Sequence, residues 1–185
     1  MRSKITKIKQ LVEEKFEEND WKYHMLPVIK YAKKLAKIYR LNEETVELAA
    51  LLHDIGRIEI KDDEEHHIRG IPRAEKILRK HNYSEDIIKE VLHCVESHRT
   101  SKGTKPRTMI AKIIANADAM AHFDVLPVFF YWRSNLGESF KEILKWVDTK
   151  IEKDWNKKIT LPEAKKIVEK KYKAARLLLD SLKAY

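Results

Sequence analysis

Apolar side chains recur every three or four positions along most of the chain, which is the spacing of one buried face on an α-helix. This pattern predicts helices over residues 4–18, 23–39, 43–55, 71–81, 85–97, 108–121, 138–155 and from 160 to the C-terminus. Alternation of apolar and polar residues nowhere runs long enough to predict a strand. The sequence therefore predicts an all-α fold.

Two of these segments carry additional signals. The helix over 108–121 combines alanine and isoleucine on its apolar stripe, so we expect it to be more deeply buried than the others. Thr160 and Glu163 have the spacing of a capping box, and Pro162 suits the first turn that would follow. The first signal predicts a core helix, and the second predicts where the last helix begins.

The composition favours a helical protein with solvated faces. The 185 residues are 43% apolar and 36% charged, with only four glycines and five prolines, and we expect one domain over residues 1–185. Cys94 is the only cysteine and cannot form an internal disulfide, and no apolar stretch reaches the ~20 residues of a membrane span. The expected location is therefore the reducing cytoplasm, away from membranes.

The positive charge is concentrated near the C-terminus. The formal net charge is +9, and residues 141–185 contain 13 basic and 7 acidic side chains. Such an excess favours phosphate-rich partners, either a nucleotide or a nucleic acid, but the interspersed acids are equally typical of a solvated helix face. Charge alone leaves these interpretations open.

Histidine and aspartate supply the candidate chemistry. His53 and Asp54 are adjacent near the end of an apolar helix, where an unpaired carboxylate would carry a large desolvation penalty. A cation is the natural partner, because imidazole and carboxylate suit first-row divalent metals held between the helices of a bundle. Spacing alone does not specify such a site.

Five short motifs resemble those of one family, the HD-domain metal-dependent phosphohydrolases, in order and rough spacing. They are DWKYH (Asp20 to His24), LLHDIG (Leu51 to Gly56), HIRG (His67 to Gly70), ESHR (Glu96 to Arg99) and NAD (Asn116 to Asp118). The resemblance covers about residues 20–135 and implies a helical bundle, with additional helices over about 138–185. Within the family, the chain looks most like small bacterial and archaeal nucleotide pyrophosphohydrolases.

The resemblance implies a metal site, because His24, His53, Asp54 and Asp118 match the family's four ligands. A divalent ion at such a site (Mn, Co, Ni, Mg, Fe or Zn) would activate a water molecule for attack on phosphorus. Asp54 would also orient or deprotonate that water. This residue is therefore expected to be both a ligand and a catalytic group.

Substrate contacts are expected from basic residues near these ligands. Arg57 lies one turn beyond Asp54 and could reach a phosphate, which makes it a second catalytic candidate; an exposed, salt-bridged arginine is the alternative. Arg99 and Lys102 follow His98 and could contact substrate, although a solvated basic loop is the plainer interpretation.

A second metal ion is a further implication of the resemblance. His67 stands at the HxxG position and His98 closes the helix before the ESHR loop, where dinuclear members place two more histidines. Asp54 would then bridge the two ions, and His66 could substitute for its neighbour His67. The alternative is a single ion, with His67 and His98 binding phosphate or lining the pocket. His122, one turn after Asp118, could support that ligand.

The implied function is a metal-dependent phosphohydrolase acting on a nucleotide or a related phosphate ester or anhydride. Two other functions remain open. The chain could be a regulatory or RNA-binding helical module that retains the fold, or a dinuclear-iron oxygenase, since a few family members perform oxidative chemistry. A requirement for added divalent cations would favour hydrolysis, whereas tight, salt-sensitive RNA binding without hydrolysis would favour the binding module.

Overall fold

The computed structural model describes residues 3–58, 65–99 and 104–183. In these ranges the chain forms nine α-helices of nine residues or more and no strand, which confirms the predicted all-α fold. They are α1 (Lys4–Glu13), α2 (Leu26–Tyr39), α3 (Glu43–Leu52), α4 (His66–Lys80), α5 (Glu85–Ser97), α6 (Met109–Asp124), α7 (Leu126–Ser134), α8 (Phe140–Lys153) and α9 (Pro162–Leu182). A short helical turn (Glu18–Asp20), two π-helices (Trp21–Met25 and Asp154–Lys158) and a 3₁₀ turn (Ile55–Arg57) complete the described helical structure.

Helix α6 lies at the centre of the bundle. Every residue from 113 to 123 is buried, and α2, α3, α5 and α9 pack against this helix, which confirms the predicted core position. Alanine occupies five of its positions, so the neighbouring helices can approach its backbone closely. No single described helix has the length and hydropathy of a membrane span; α6 and α7 pass that test only together, across a bend of 81°.

Side-chain caps fix where several helices begin. Asn42 Oδ1 accepts a hydrogen bond from Thr45 N at 2.9 Å, and Ser139 and Glu142 form a complete capping box at α8. The capping box predicted at Thr160 and Glu163 is wrong, because Leu161 occupies the N-cap position of α9. The Thr160 hydroxyl instead accepts a hydrogen bond from the amide of Asn116 in α6 at 3.2 Å.

Two helix boundaries differ by five residues from the predicted ones, and one helix was not predicted. Helix α1 ends at Glu13 rather than near residue 18, and the chain then turns so that Phe16 packs against the core. Helix α4 begins at His66 rather than near residue 71, because its buried stripe extends one turn further back. The aromatic stretch after residue 125 forms α7, which buries Leu126 and Phe129.

The 3₁₀ turn packs against α4 so closely that Gly56 has no room for a side chain. A Cβ atom at Gly56 would lie 1.9 Å from the carbonyl oxygen of His66 and 2.7 Å from the backbone nitrogen of Gly70. Arg73 of α4 adds a hydrogen bond to the carbonyl oxygen of Ile58 at 2.6 Å. This close packing places the first turn of α4 beside Asp54, the residue that precedes the 3₁₀ turn.

Candidate metal centre

Three side chains from different elements form a first cluster. His24 lies in the first π-helix, His53 follows α3, and Asp118 lies in the middle of α6. His24 Nε2 is 3.2 Å from His53 Nε2 and 3.7 Å from Asp118 Oδ1. One ligand atom from each residue lies within 4.8 Å of the other two. Ligands about 2.0–2.2 Å from one cation have such a spacing, so one divalent ion fits this cluster.

A second cluster lies beside the first and is fully buried. It consists of Asp54, His66 at the start of α4 and His98 at the end of α5. His66 Nε2 is 3.0 Å from His98 Nε2 and 3.1 Å from Asp54 Oδ1, and His98 Nε2 is 3.3 Å from the same oxygen. These atoms again have the spacing of ligands to one cation.

Asp54 faces both clusters with different oxygen atoms. Its Oδ2 lies 3.0 Å from His24 Nε2 and 3.5 Å from His53 Nε2, whereas its Oδ1 faces His66 and His98. The carboxylate is only 1% exposed. One buried side chain therefore joins the two groups of imidazoles.

The hydrogen bonds of the rings fit metal binding. His53 Nδ1 donates to the carbonyl oxygen of Ala50 at 2.8 Å, and His98 Nδ1 donates to that of Val95 at 2.7 Å. Nε2 of each ring therefore faces its cluster, which is the arrangement of a metal-ligating histidine. In addition, no described residue donates a well-aligned hydrogen bond to the buried Asp54 Oδ1. The residues present fit a divalent cation in each cluster.

Neighbouring charges keep the carboxylates ionised. Burial raises the pKa of Asp54, but the Arg57 guanidinium, whose Nε lies 2.7 Å from Oδ2, outweighs burial and holds that pKa well below its usual value. Burial also raises the pKa of Asp118, yet Lys158 reverses this effect and its pKa is again well below the usual range. Burial lowers the pKa of His53 to about 4, so that ring is neutral at pH 7, as a metal ligand must be.

A buried ion-pair network lies behind Asp118. His122 Nε2 is 3.6 Å from Asp118 Oδ1, and its Nδ1 donates to Asp154 Oδ2 at 2.7 Å. Lys150 donates to the same Asp154 oxygen at 2.7 Å, and Lys158 Nζ lies 3.7 Å from Asp118 Oδ2. Such contacts fix the orientation of a ligating carboxylate. Lys150 lies in α8, and Asp154 and Lys158 lie in the second π-helix, so C-terminal elements help to build this site.

A cavity of about 340 Å³ opens above the clusters, and we call it the catalytic cavity. Its lining includes six basic side chains, Arg57, Arg99, Arg133, Lys150, Lys153 and Lys158. The only carboxylates in that described lining are Asp54 and Asp118, which belong to the clusters. Trp146 also lines the cavity, with the guanidinium carbon of Arg133 4.6 Å from its ring centroid. The positive excess favours an anionic ligand over the clusters.

The structure brings most of the predicted site residues together. Those in or around the clusters are His24, His53, Asp54, Arg57, His98, Arg99 and Asp118. His67 is buried, but its ring lies at the side of the His66 ring, with centroids 5.9 Å apart, and it contributes to neither described cluster. Lys102 lies outside the described residues.

The sequence kept His66 only as an alternative to His67, and it did not single out the C-terminal lysines Lys150, Lys153 and Lys158. A signal for His66 exists in the sequence, because His66, Gly70, Ala74 and Leu78 are spaced by four and form the buried stripe of α4. Lys150 and Lys158 carry no comparable signal, since many lysines in residues 141–185 are exposed. Only the packing of α8 and the second π-helix distinguishes them.

Comparison with known proteins places this chain in a family. A profile of the HD domain matches residues 21–122. Similar solved structures include a predicted HD superfamily hydrolase from an uncultured Thermotogales bacterium, with 22% identity over 97% of this chain and 91% of that chain and a TM-score of 0.68. The Lin1889 protein from Listeria innocua has 18% identity over 97% and 93% of the two chains and a TM-score of 0.76. Bacillus subtilis YpgQ has 17% identity over 98% of this chain and 94% of that chain, with a TM-score of 0.75.

YpgQ has also been solved in complex with ADP. A search of curated proteins by sequence finds no match. The HD profile nevertheless covers more than half of the chain, including all three elements of the first cluster. The chain therefore belongs to the HD domain family of metal-dependent hydrolases.

Proposed function

We propose that this protein is a metal-dependent phosphohydrolase that acts on a nucleotide or a related phosphate ester or anhydride. The observation that carries the proposal is the position of Asp54, which joins two buried clusters of histidine and aspartate at the base of a cavity lined by six basic side chains. The clusters suit divalent cations, and the basic lining suits the phosphates of a substrate.

In this proposal each cluster would hold one divalent cation. His24, His53 and Asp118 would be the ligands in one cluster and His66 and His98 those in the other, with Asp54 facing both. When bound, such cations supply an activated water and offset the negative charge on phosphoryl oxygens. We assign this ligand to His66 rather than His67 because His66 Nε2 lies 3.1 Å from Asp54 Oδ1.

The protein's own side chains hold the reacting groups in position. Arg57 keeps Asp54 ionised and oriented through the 2.7 Å contact, while its half-exposed side chain borders the cavity and can reach a phosphate. Lys153 lines the same cavity and makes no ion pair with described residues, so its ammonium group is available to a phosphate oxygen. These contacts restrict the orientation of the substrate, which is a large part of catalysis in phosphoryl transfer.

A nucleotide is the favoured substrate for two reasons. Six basic side chains around a cavity of about 340 Å³ suit a ligand with more than one phosphate, and the aromatic ring of Trp146 offers a surface for a base. The complex of Bacillus subtilis YpgQ with ADP supports the same choice.

The test combines metal analysis of the purified protein with a screen for release of phosphate and pyrophosphate from nucleotides. We expect hydrolysis that requires Mn, Co, Ni or Mg, stops with a chelator and is lost in Asp54→Asn. The matched control is Asp86→Asn, which removes an exposed carboxylate at the start of α5 and should keep wild-type turnover. Full turnover by Asp54→Asn would contradict the proposal. Salt-sensitive RNA binding without any hydrolysis would favour the binding-module alternative.

A further inference from the structure

A second, larger cavity lies next to the catalytic cavity. Its volume is about 620 Å³, and we call it the lysine cavity because five lysines line it: Lys105, Lys112, Lys153, Lys157 and Lys158. Lys153 and Lys158 also line the catalytic cavity, so the two cavities share one wall. The other three lysines belong to the lysine cavity alone.

The charge of the lysine cavity is not balanced by the protein. Its lining contains no carboxylate among the described residues. Lys105, Lys112, Lys153 and Lys157 make no ion pair in the described part of the chain, and only Lys158 has acidic neighbours, Asp118 and Asp154, each at 3.7 Å. Several unpaired ammonium groups around one concave surface raise the local positive potential, which is most readily offset by a bound anion.

The floor of the lysine cavity is held by a buried side chain. Asn116, which is 1% exposed, accepts hydrogen bonds from the backbone nitrogens of Thr160 and Leu161 at 2.9 and 3.0 Å. Its amide nitrogen donates to the carbonyl oxygen of Lys112 at 2.8 Å. Helix α6 and the segment before α9 are thus fixed relative to each other, so the cavity is formed before any ligand arrives.

The end of α8 and the second π-helix supply the shared wall. The backbone N–H of Ile159 donates to the carbonyl oxygen of Asp154, five residues earlier, at 2.9 Å. This wider turn follows α8 directly and places Lys157 and Lys158 on the same cavity as Lys153. Because π-helical turns are rare and are frequently found at functional sites, this segment favours a ligand-binding role for the cavity.

We propose that the lysine cavity is a second anion site that binds a phosphate-bearing group. Its volume is within the range of small-ligand sites, and its unpaired lysines match the charge of a phosphate chain. The phosphate belongs either to a separate small molecule or to the distal end of a long molecule whose other end lies in the catalytic cavity. The inference goes beyond the proposed hydrolysis and does not depend on it, because it concerns binding alone.

The test is calorimetric titration of the full chain with inorganic tripolyphosphate, without added divalent cation so that the probe is not hydrolysed. The first variant carries Lys105→Gln, Lys112→Gln and Lys157→Gln, which alter only the lysine cavity. Its matched control carries Lys7→Gln, Lys34→Gln and Lys170→Gln, which remove the same charge from exposed lysines without ion pairs to described residues. A second variant, Arg57→Gln with Arg133→Gln, alters only the catalytic cavity.

If wild type and the lysine control each bind two tripolyphosphate molecules and the lysine-cavity variant binds one, the proposal is supported, with a separate small molecule as the ligand. One site that weakens at least tenfold in both cavity variants, but not in the control, would support it with a single molecule spanning both cavities. Equal site numbers and affinities in wild type and the lysine-cavity variant would overturn the proposal, whether or not the protein hydrolyses nucleotides.

Discussion

The contact between the 3₁₀ turn and α4 gives a sharp prediction for Gly56→Ala. The added Cβ atom would lie 1.9 Å from the carbonyl oxygen of His66, with the backbone nitrogen of Gly70 at 2.7 Å. Both contacts are with backbone, so relief requires α4 to move away from the turn. Overpacking of a core usually costs about 1–3 kcal/mol, and a clash with backbone belongs at the upper end or above it. We expect a loss of about 3 kcal/mol in the free energy of unfolding, roughly a hundredfold in the folding equilibrium.

The matched control is Gly137→Ala, in which a methyl group is added where nothing lies within 4 Å but φ is +79°. That change should cost about 1 kcal/mol through backbone strain alone. Urea unfolding, followed by circular dichroism, measures both variants. Gly56→Ala should also lose metal from the second cluster, because His66 moves with the first turn of α4. Equal stability of Gly56→Ala and wild type, or of the two variants, would refute the close-packing argument.

Two predictions concern pH. Burial raises the pKa of Asp124, but hydrogen bonds from Lys171, Lys30 and Tyr31 outweigh burial and lower that pKa below 3.8. The ionised carboxylate therefore stabilises the fold above pH 4, and this stabilisation is lost as the pH falls through the lowered pKa. Asp124→Asn should therefore reduce the free energy of unfolding at pH 7 by about 1 kcal/mol. In urea unfolding, the difference in this free energy between wild type and Asp124→Asn should shrink below pH 4; a difference that stays constant with pH would contradict the prediction. Burial lowers the pKa of Lys150 to about 8, against the attraction of Asp154, so its charge is lost as pH rises through 8. We expect KM for the nucleotide to rise between pH 7 and 9 in wild type, whereas Lys150→Met should have a high KM that does not rise over this range. If KM of wild type and of Lys150→Met had the same pH profile, Lys150 would have no role in phosphate binding.

The helices could be predicted from the sequence because their signal is local. An apolar stripe such as that of α6 is visible at a spacing of three and four residues, and it requires no knowledge of distant contacts. The two π-helices were not predicted, since their extra residue per turn arises from tertiary packing rather than from a distinct sequence pattern. The same applies to Thr160, whose hydroxyl contacts Asn116 of α6 instead of capping α9.

The candidate site was only partly predictable. The motifs identified His24, His53, Asp54 and Asp118, and these side chains do converge. Adjacent residues on a helix point about 100° apart, so the choice between His66 and its neighbour depends on which face of α4 is turned toward Asp54. That orientation depends on the close packing of Gly56 against the backbone of His66 and Gly70, a contact between segments that local patterns do not reveal.

The sequence does not show which lysines of α8 and the second π-helix line the catalytic cavity. Lys150, Lys153 and Lys158 resemble the solvated lysines around them in sequence, but the packing of the C-terminal elements against α6 places them on the catalytic cavity. Their role depends on contacts between segments more than 25 residues apart, such as the one between Lys158 and Asp118.

The central claim is that Asp54 joins two metal sites, with His66 and His98 in the second. The most direct measurement is the number of Mn ions bound per full chain at equilibrium, in wild type, in His66→Ala with His98→Ala, and in His67→Ala. We expect two ions in wild type, one in the double variant and two in His67→Ala. A count of one in wild type and in the double variant, or a loss of one ion in His67→Ala, would contradict the claim.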